Sequence, residues 1–275
     1  MPRNAHQWYN PGMKQPPFLP MSLQEMKTLG WSELDVLLIS GDAYVDHPSF
    51  GAALIGRCLI DAGFRVGIIA QPNWKDLASV TVLGRPRLFA GITAGAMDSL
   101  VANYTANKKL RRNDSYSPGG GYGFRPNRAT IIYTNLVKHA FPGLNTVLGG
   151  IEASLRRLAH YDYWEDSIRR SLLLDAKADI LVYGMGEKAV VQIAERLLHR
   201  QTLDNIAGTA VVRSETPAGD NVLALPGFEE VIKSKEQFIQ ASLLAETEQH
   251  WKNGKLLVQP HGARFVVVQP PAPPL

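Results

Sequence analysis

LDVLLISGDAYVDHPSFG, residues 34 to 51, joins an apolar run to a loop that carries two aspartates and a histidine. The run at 34–40 is continuously apolar apart from Asp35 and Ser40, which is typical of a strand buried on both faces of a parallel sheet. Pro48 suits the first turn of a helix, where its missing N–H costs nothing. Apolar residues then follow one helical face as far as Gly63, so the stretch predicts the first strand and helix of an α/β unit.

The chain continues as an alternation of short apolar strands and helices. Such an alternation predicts an α/β fold in which helices cover both faces of a doubly wound, mainly parallel, Rossmann-like sheet. Further strands are expected at 65–70, 87–92, 145–148 and 178–183, and helices near 75–82, 96–110, 129–140, after "GGIEAS" (149–154) and at 187–199.

The predicted domain organisation has three parts. Residues 1–33, rich in Pro, Trp and Met, form an N-terminal extension, and residues 34–205 form the α/β domain. Residues 206–275 are predicted to be a small α+β appendage that ends in a Pro-rich linker. Its strands are expected at 209–213, 255–260 and 264–269, and its polar helix at 234–252.

Composition limits the class of protein. The 275 residues are 45% hydrophobic and 20% charged, enough to bury a core, and no apolar run approaches the roughly 18 residues that span a bilayer. We therefore expect a cytoplasmic protein with no membrane partner. The net charge is +4, and "KKLRR" (108–112) concentrates the basic residues, so nucleic acid is a minority alternative as a partner.

Cys58 is the single cysteine of the sequence. It excludes an intramolecular disulfide, and one thiolate cannot hold a zinc ion or an iron–sulfur cluster, which usually has three or four protein ligands. Its place on the apolar face of the first predicted helix favours simple packing.

The unusual residues lie in loops after four predicted strands, at 41–51, 93–99, 149–157 and 184–189. Carboxyl ends of parallel strands meet at one edge of an open sheet, where ligands usually bind. We therefore expect a cofactor- or substrate-binding rim there, with no catalytic residue and no metal ligand assigned. The candidate rim residues are Asp42, Asp46, His47, Asp98, Gly149, Gly150, Glu152, Arg156, Gly184, Gly186 and Glu187.

Each rim motif also has a simpler interpretation. Asp42, Asp46 and His47 are types that ligate metals, but they lack EF-hand or zinc spacing, and Asp or His before Pro48 more often caps a helix. "GMGEKA" (184–189) fits Gly-x-Gly-x-x-Ala, yet Glu187 stands where a phosphate would bind and instead suits a helix N-terminus.

Two further stretches are candidate ligand sites. "PGGGYG" (118–123) lacks the Lys and Ser/Thr of a P-loop and is interpreted as an ordinary loop. "HYDYW" (160–164) offers aromatic rings for stacking, although such clusters more often pack into a core or a domain seam.

Five segments taken together strongly resemble the N-terminal region of the YgiQ family of radical SAM proteins, the UPF0313 type. They are "FLPMS" (18–22), "SGDAYVDHPSFG" continuing to "QPNW" (40–74), "TAGAMDSLVANYTANKKLRR" (93–112), "VLGGIEASLRR" continuing to "YGMGE" (147–187) and "QPHGARFVVVQPPAPPL" (259–275). The resemblance implies a cobalamin-binding-like Rossmann unit. It also implies a following radical SAM barrel, whose Cys-x3-Cys-x2-Cys motif binds a [4Fe-4S] cluster and S-adenosylmethionine.

The sequence departs from the complete family in one respect. It has no Cys-x3-Cys-x2-Cys motif and stops at "PPAPPL" (270–275), where the resemblance places the barrel. We therefore expect a fragment, a split-gene product or a truncated reading frame that is not catalytic alone. Its partner would be a radical SAM barrel, in the same gene or on a separate chain, and its role would be to shape substrate or cofactor binding; neither a small-molecule nor a macromolecular substrate is identified.

Two alternative functions stay open. Corrinoid domains that ligate cobalt through histidine carry Asp-x-His-x-x-Gly, whereas Asp46 and His47 are adjacent here. Cobalamin would therefore have to bind without a histidine ligand. The other alternative is an RNA-binding module that uses "KKLRR" and the rim aromatics.

Overall fold

A nine-stranded sheet organises the computed structural model, which describes residues 16–217 and 219–274. Residues 1–15 of the predicted N-terminal extension lie outside this part. The strands are β1 (Val36–Ser40), β2 (Val66–Ala70), β3 (Phe89–Thr93), β4 (Asn145–Gly149), β5 (His160–Asp162), β6 (Ser167–Arg169), β7 (Ile180–Val182), β8 (Thr209–Arg213), β9 (Val222–Ala224), β10 (Leu256–His261) and β11 (Arg264–Val268). All but β5 and β6, which form a separate hairpin, join the main sheet in the order β2-β1-β3-β4-β7-β8-β11-β10-β9.

Five strands, β2-β1-β3-β4-β7, form the parallel part of the sheet. β1 lies between β2 and β3, and every residue of this strand is buried, as its continuous apolar pattern predicts. The chain winds outward in both directions from β1 and β3, which makes their junction the topological switch point. The predicted α/β, doubly wound, mainly parallel class is confirmed.

Helices cover both faces of the parallel strands, and two apolar layers result. The helices are α1 (Leu23–Thr28), α2 (Gly51–Asp61), α3 (Ser99–Asn103), α4 (Ala129–Ala140), α5 (Gly150–Leu155), α6 (Leu172–Ala176), α7 (Glu187–Leu198), α8 (Phe228–Val231) and α9 (Lys235–Thr247). α2 and α7 pack together on one face, and α4 and α6 pack on the other.

The predicted appendage contributes its strands to the same sheet. β8 pairs antiparallel with β7, β11 with β8, and β10 with β11, whereas β9 is parallel to β10. The strands before and after residue 205 therefore belong to one hydrogen-bonded sheet. A domain boundary at residue 205 stays a prediction. The structure adds β9 and the β5–β6 hairpin, which the sequence patterns do not predict because each has only three residues.

Two predicted helices are wrong in length or type. The helix expected at 96–110 is only α3, because Tyr104 adopts an extended conformation and the Arg111 guanidinium donates to the carbonyls of Val101 and Tyr104. The helix expected at 75–82 is a single 3₁₀ turn, Leu77–Val80, with Asp76 as its N-cap. None of the helices described in the structure is both long and apolar enough to cross a membrane.

Candidate binding cleft

A cleft of about 410 Å³ opens at the carboxyl ends of β1, β3, β4 and β7, between the sheet and helices α2 and α7. It lies at the switch point, where open α/β sheets most often bind ligands. The predicted functional edge therefore coincides with a cleft large enough for a small ligand.

The floor of the cleft is an apolar row across the sheet. Leu38, Ile68, Gly91 and Val147 occupy paired positions on neighbouring strands, and all four line the cleft. Gly91 leaves room in this row for the Leu38 side chain, since a Cβ atom at residue 91 would lie 2.8 Å from it. Glycine inside a strand often marks a close approach of another group, and the glycine of "RLFAGI" (87–92) is the signal in the sequence that points to this floor.

Six of the predicted rim residues line the cleft: Asp42, Gly149, Gly150, Gly184, Gly186 and Glu187. Gly150 has a positive φ of 81°, and a Cβ atom at this position would meet Thr93 Oγ1 at 2.3 Å. A glycine is therefore required to bring the loop after β4 against the end of β3.

Asp42 is held in a buried ion-pair network behind the cleft. Its Oδ1 lies 2.7 Å from Nη1 of Arg125, and its Oδ2 accepts a hydrogen bond from the Ala96 amide at 2.6 Å. Arg125 also pairs with Asp114 at 3.0 Å. Burial raises the pKa of Asp42, while Arg125 acts in the opposite direction. Asp42 is therefore largely buried, and its contacts with Arg125 and Ala96 hold the loop after β1 in place beside the cleft.

Arg125 and Asp114 were not predicted as site residues. They lie in the loop around "PGGGYG", where no secondary-structure pattern links them to Asp42. Further contacts join this loop to the ends of β1 and β2: the Ala43 amide after β1 donates to the Tyr116 carbonyl at 2.8 Å, and Gln71 after β2 donates to Ser117 at 2.6 Å. A buried arginine needs a carboxylate partner, but sequence alone does not say which.

Asp98, Glu152 and Arg156 form a second network, which lies outside the cleft lining. Asp98 caps α3 by accepting from the amides of Leu100 and Val101, and it pairs with Arg156. Glu152 is 1% exposed and joins the starts of two helices. It accepts from the Ser99 amide at 2.9 Å in α3 and from the Thr130 amide at 3.0 Å in α4. The three side chains therefore make ion pairs and hydrogen bonds within the protein, and none of them lines the cleft.

The predicted helix cap at Asp46 or His47 is wrong. α2 begins at Gly51, and neither side chain caps it. Asp46 pairs with Arg57, which lowers the pKa of Asp46, and Arg57 also donates to the Pro16 carbonyl at 2.7 Å. His47 is exposed, and its Nδ1 accepts from the Ser49 amide at 3.1 Å. Both residues lie outside the cleft lining and instead organise the loop before α2.

Glu187 is the acidic residue of the first turn of α7, as predicted from "GMGEKA". It is 9% exposed and lines the cleft. Gly186 is the N-cap of α7 and brings the helix close to β7, since a Cβ atom there would lie 3.0 Å from Val182. The carboxylate therefore occupies the helix end at which a dinucleotide phosphate would have to bind.

Comparison with known protein families identifies the fold's relatives. Residues 18–275 match the model of the radical SAM N-terminal family. The chain belongs to the radical SAM N-terminal family. The resemblance to UPF0313 proteins that the sequence motifs carry is thereby confirmed.

Several relatives of this radical SAM N-terminal chain are UPF0313 proteins. One from Thermotoga petrophila is 52% identical over 261 residues, which cover 94% of this chain and 46% of the relative. One from Geobacter sulfurreducens is 52% identical over 264 residues, or 94% and 43% of the two chains. One from Bradyrhizobium diazoefficiens is 48% identical over 285 residues, or 95% and 42%. The chain thus spans less than half the length of these relatives.

Two solved structures of the radical S-adenosylmethionine methyltransferase TsrM from Kitasatospora setae also match. The structure with its tryptophan substrate and an analogue of S-adenosylmethionine bound has a TM-score of 0.43 and 17% identity, covering 64% of this chain and 28% of TsrM. The structure with cobalamin and a [4Fe-4S] cluster bound has a TM-score of 0.42 and 19% identity, covering 64% and 26%.

The residues of this radical SAM N-terminal chain do not fit an iron–sulfur cluster. Cys58 is its one cysteine, and it lies half-buried in α2, where burial raises the pKa of its thiol. Cluster binding requires several thiolates, so a [4Fe-4S] centre needs cysteines from elsewhere. Within residues 16–217 and 219–274, no three His, Cys, Asp or Glu side chains are grouped so that they would hold a metal ion.

Proposed function

We propose that this chain is the accessory domain of a UPF0313 radical SAM iron–sulfur protein. Its cleft would form one wall of the crevice in which a [4Fe-4S]/S-adenosylmethionine barrel meets its substrate or cofactor. The observation that carries the proposal is the apolar mouth of the cleft: Val45, Ile151 and Met185 line it, follow three different strands (β1, β4 and β7) and are each more than 40% exposed. Exposed apolar side chains around one opening are typical of a surface that another domain covers.

The C-terminal segment supports the same placement. The Gly208 amide donates to the Pro270 carbonyl at 2.7 Å, and Lys188 Nζ donates to the Pro274 carbonyl at 3.0 Å. Lys188 follows Glu187 of the cleft in α7. Proline-rich residues 269–274 therefore run beside the mouth and are fastened there at both ends.

A binding experiment with a barrel tests this proposal. The part of the Thermotoga petrophila UPF0313 protein outside the match would be produced separately, its cluster reconstituted, and its association with this chain measured by titration calorimetry. We expect a Kd of about 10 μM or tighter, and Met185→Glu should weaken binding at least about tenfold, because it puts a charge into an apolar contact. Ile239→Glu is the matched control, since Ile239 is 56% exposed on α9 and lies outside the cleft lining.

Two results would count against the accessory role. One is the absence of association at about 1 mM of both components. The other is equal binding by wild type, the Met185 variant and the Ile239 variant, which would place the contact elsewhere.

Corrinoid binding by the cleft itself is an alternative. Its apolar floor at Gly91 favours an apolar ligand group, while the positions of Asp46 and His47 outside the lining leave no histidine to ligate cobalt there. Titration with methylcobalamin distinguishes this function, because a Kd in the micromolar range supports it and no binding at about 1 mM excludes it.

RNA binding is the other candidate, and one contact favours it. Lys108 Nζ lies 4.8 Å from the centroid of the Tyr163 ring, so the structure brings the "KKLRR" loop against the aromatic hairpin β5–β6. Lys109 and Arg112 are exposed beside it. Affinity for single-stranded RNA should then fall at least about tenfold between 50 and 200 mM salt, and an affinity indifferent to salt would rule out this surface.

A further inference from the structure

The cleft carries no cationic side chain in its described lining. The charged side chains that line it are the carboxylates of Asp42 and Glu187. Neighbouring cations are occupied elsewhere: Arg125 pairs with Asp42 and Asp114, Arg57 pairs with Asp46, and Lys188 binds the Pro274 carbonyl. A phosphate or carboxylate on a ligand would therefore find no free side-chain cation in this cleft.

Two helix N-termini supply the positive potential. Phe50, the N-cap of α2, makes no side-chain capping bond, and the first residues of α2, Gly51, Ala52 and Ala53, line the cleft. α7 begins at Glu187 without a side-chain cap as well. Each helix end is equivalent to about half a positive charge.

The acidic groups outweigh these helix ends. Glu187 contributes one negative charge, and the Asp42–Arg125–Asp114 network retains another because one guanidinium serves two carboxylates. Against these two charges the helix ends supply about one in total. The balance favours a neutral or cationic ligand, while the free amides of α2 and the Glu187 carboxylate offer donors and an acceptor to its polar groups.

The shape of the floor restricts the ligand further. Leu38, Ile68 and Val147 present a continuous apolar surface in which the Leu38 side chain lies over Gly91, and Phe89 also lines the cleft. A flat ring system lying on this floor removes a large apolar surface from water. Flexible chains would lose more conformational entropy for the same buried area.

We propose that the cleft binds flat, ring-containing molecules that are neutral or cationic and carry a hydroxyl or amino group, and that Glu187 makes it discriminate against anionic molecules of the same shape. This inference rests on the assignment of the cleft as the functional site under the accessory role.

Three naphthalene probes of equal shape test the charge selection. Naphthylmethylamine is a cation, naphthylmethanol is neutral and naphthoate is an anion, and their affinities for the chain would be measured by titration calorimetry or ligand-observed NMR. In wild type we expect the amine to bind at least about tenfold more tightly than naphthoate, since about 1.4 kcal/mol of charge discrimination gives that ratio. Naphthylmethanol should lie between them.

Variants locate the effect. Glu187→Gln should reduce the preference for the amine over naphthoate to about threefold or less, whereas Glu246→Gln, on the exposed surface of α9, should leave it unchanged. Gly91→Ala should weaken all three probes alike, because its Cβ atom narrows the floor. Val190→Phe narrows the same cleft from α7 and serves if the Gly91 variant fails to fold.

The outcomes separate this inference from the accessory role. Naphthoate binding as tightly as the amine, or the amine preference surviving in the Glu187→Gln variant, would overturn the charge selection. Failure of all three probes to bind wild type at about 1 mM would overturn the ligand class. Neither result bears on the accessory role, because association with the barrel is measured in a separate titration.

Discussion

The guanidinium of Arg125 lies 2.7 Å from Oδ1 of Asp42, and the two side chains are 0% and 5% exposed. Arg125 lies in the loop that follows "KKLRR" (108–112), and Asp42 lies two residues after the end of β1. The pair therefore fastens the longest loop of the α/β region to the edge of the cleft. Its stability depends on both charges, because an unpaired buried charge is far more costly than a missing pair.

Arg125→Met should destabilise the protein by about 3 to 5 kcal/mol, since it leaves Asp42 and Asp114 buried without their cation. Urea unfolding followed by circular dichroism measures the free energy of unfolding. Adding Asp42→Asn to Arg125→Met should recover part of the loss. Arg112→Met, at an exposed position, is the control and should change stability by less than about 0.5 kcal/mol; an equal loss in both single variants would contradict the buried network.

Gly150→Ala should be more destabilising than its backbone conformation alone predicts. The φ values of Gly150 and Gly143 are 81° and 76°, but a Cβ atom meets Thr93 Oγ1 at 2.3 Å only at Gly150 and open space at Gly143. Gly143→Ala should therefore cost about 1 kcal/mol of conformational strain, and Gly150→Ala about 1 to 3 kcal/mol more. Equal losses in urea unfolding would show that the contact with Thr93 relaxes freely.

The sheet was predictable because each parallel strand is a short apolar run bounded by turn residues, and "LDVLLIS" is buried throughout β1. The location of the cleft followed from topology, since carboxyl ends of parallel strands must meet at one edge. α4 matched its predicted bounds, 129–140, because its apolar spacing is regular. Short elements such as β9 and the β5–β6 hairpin carry too few residues for a periodic signal.

The role of each rim residue was not predictable from the sequence. Asp98, Glu152 and Arg156 look like free charges in their loops, yet their partners are brought to them by tertiary structure: Ser99, for example, is 53 residues from Glu152. Asp46 likewise pairs with Arg57, which lies in the second turn of α2. The sequence shows which strand a charged residue follows. Only the tertiary structure shows whether another element supplies a partner for its side chain.

Glu152→Ala should destabilise the protein by about 2 to 4 kcal/mol. The carboxylate accepts from the Ser99 amide, the Ser99 hydroxyl and the Thr130 amide, so its removal leaves donors at the starts of α3 and α4 without a partner. Glu33→Ala, which removes a half-exposed surface ion pair, should cost less than about 1 kcal/mol. Amide hydrogen exchange should also rise at Ser99 and Thr130 in the Glu152 variant alone, and unchanged protection there would refute the bridging role.

Two histidines should make the protein acid-sensitive between pH 6.5 and 4. Burial lowers the pKa of both His160 and His261 from 6.5 to about 4, and Gln259, which His261 contacts at 3.2 Å, also accepts from the Ala159 amide beside the β5–β6 hairpin. Between those pH values the unfolded chain binds more protons than the folded chain, so the free energy of unfolding must fall as pH falls.

Because the two shifts are the same, each histidine should lower the free energy of unfolding by about 2 to 3 kcal/mol at pH 4. Carboxylates titrate in the same range, so the double variant His160→Gln, His261→Gln isolates the histidines: its stability should decline less steeply from pH 7 to 4 than that of wild type. His47→Gln, at an exposed position, should keep the wild-type slope. Urea unfolding at several pH values measures these slopes, and identical slopes for wild type and the double variant would show that neither histidine is kept neutral by burial.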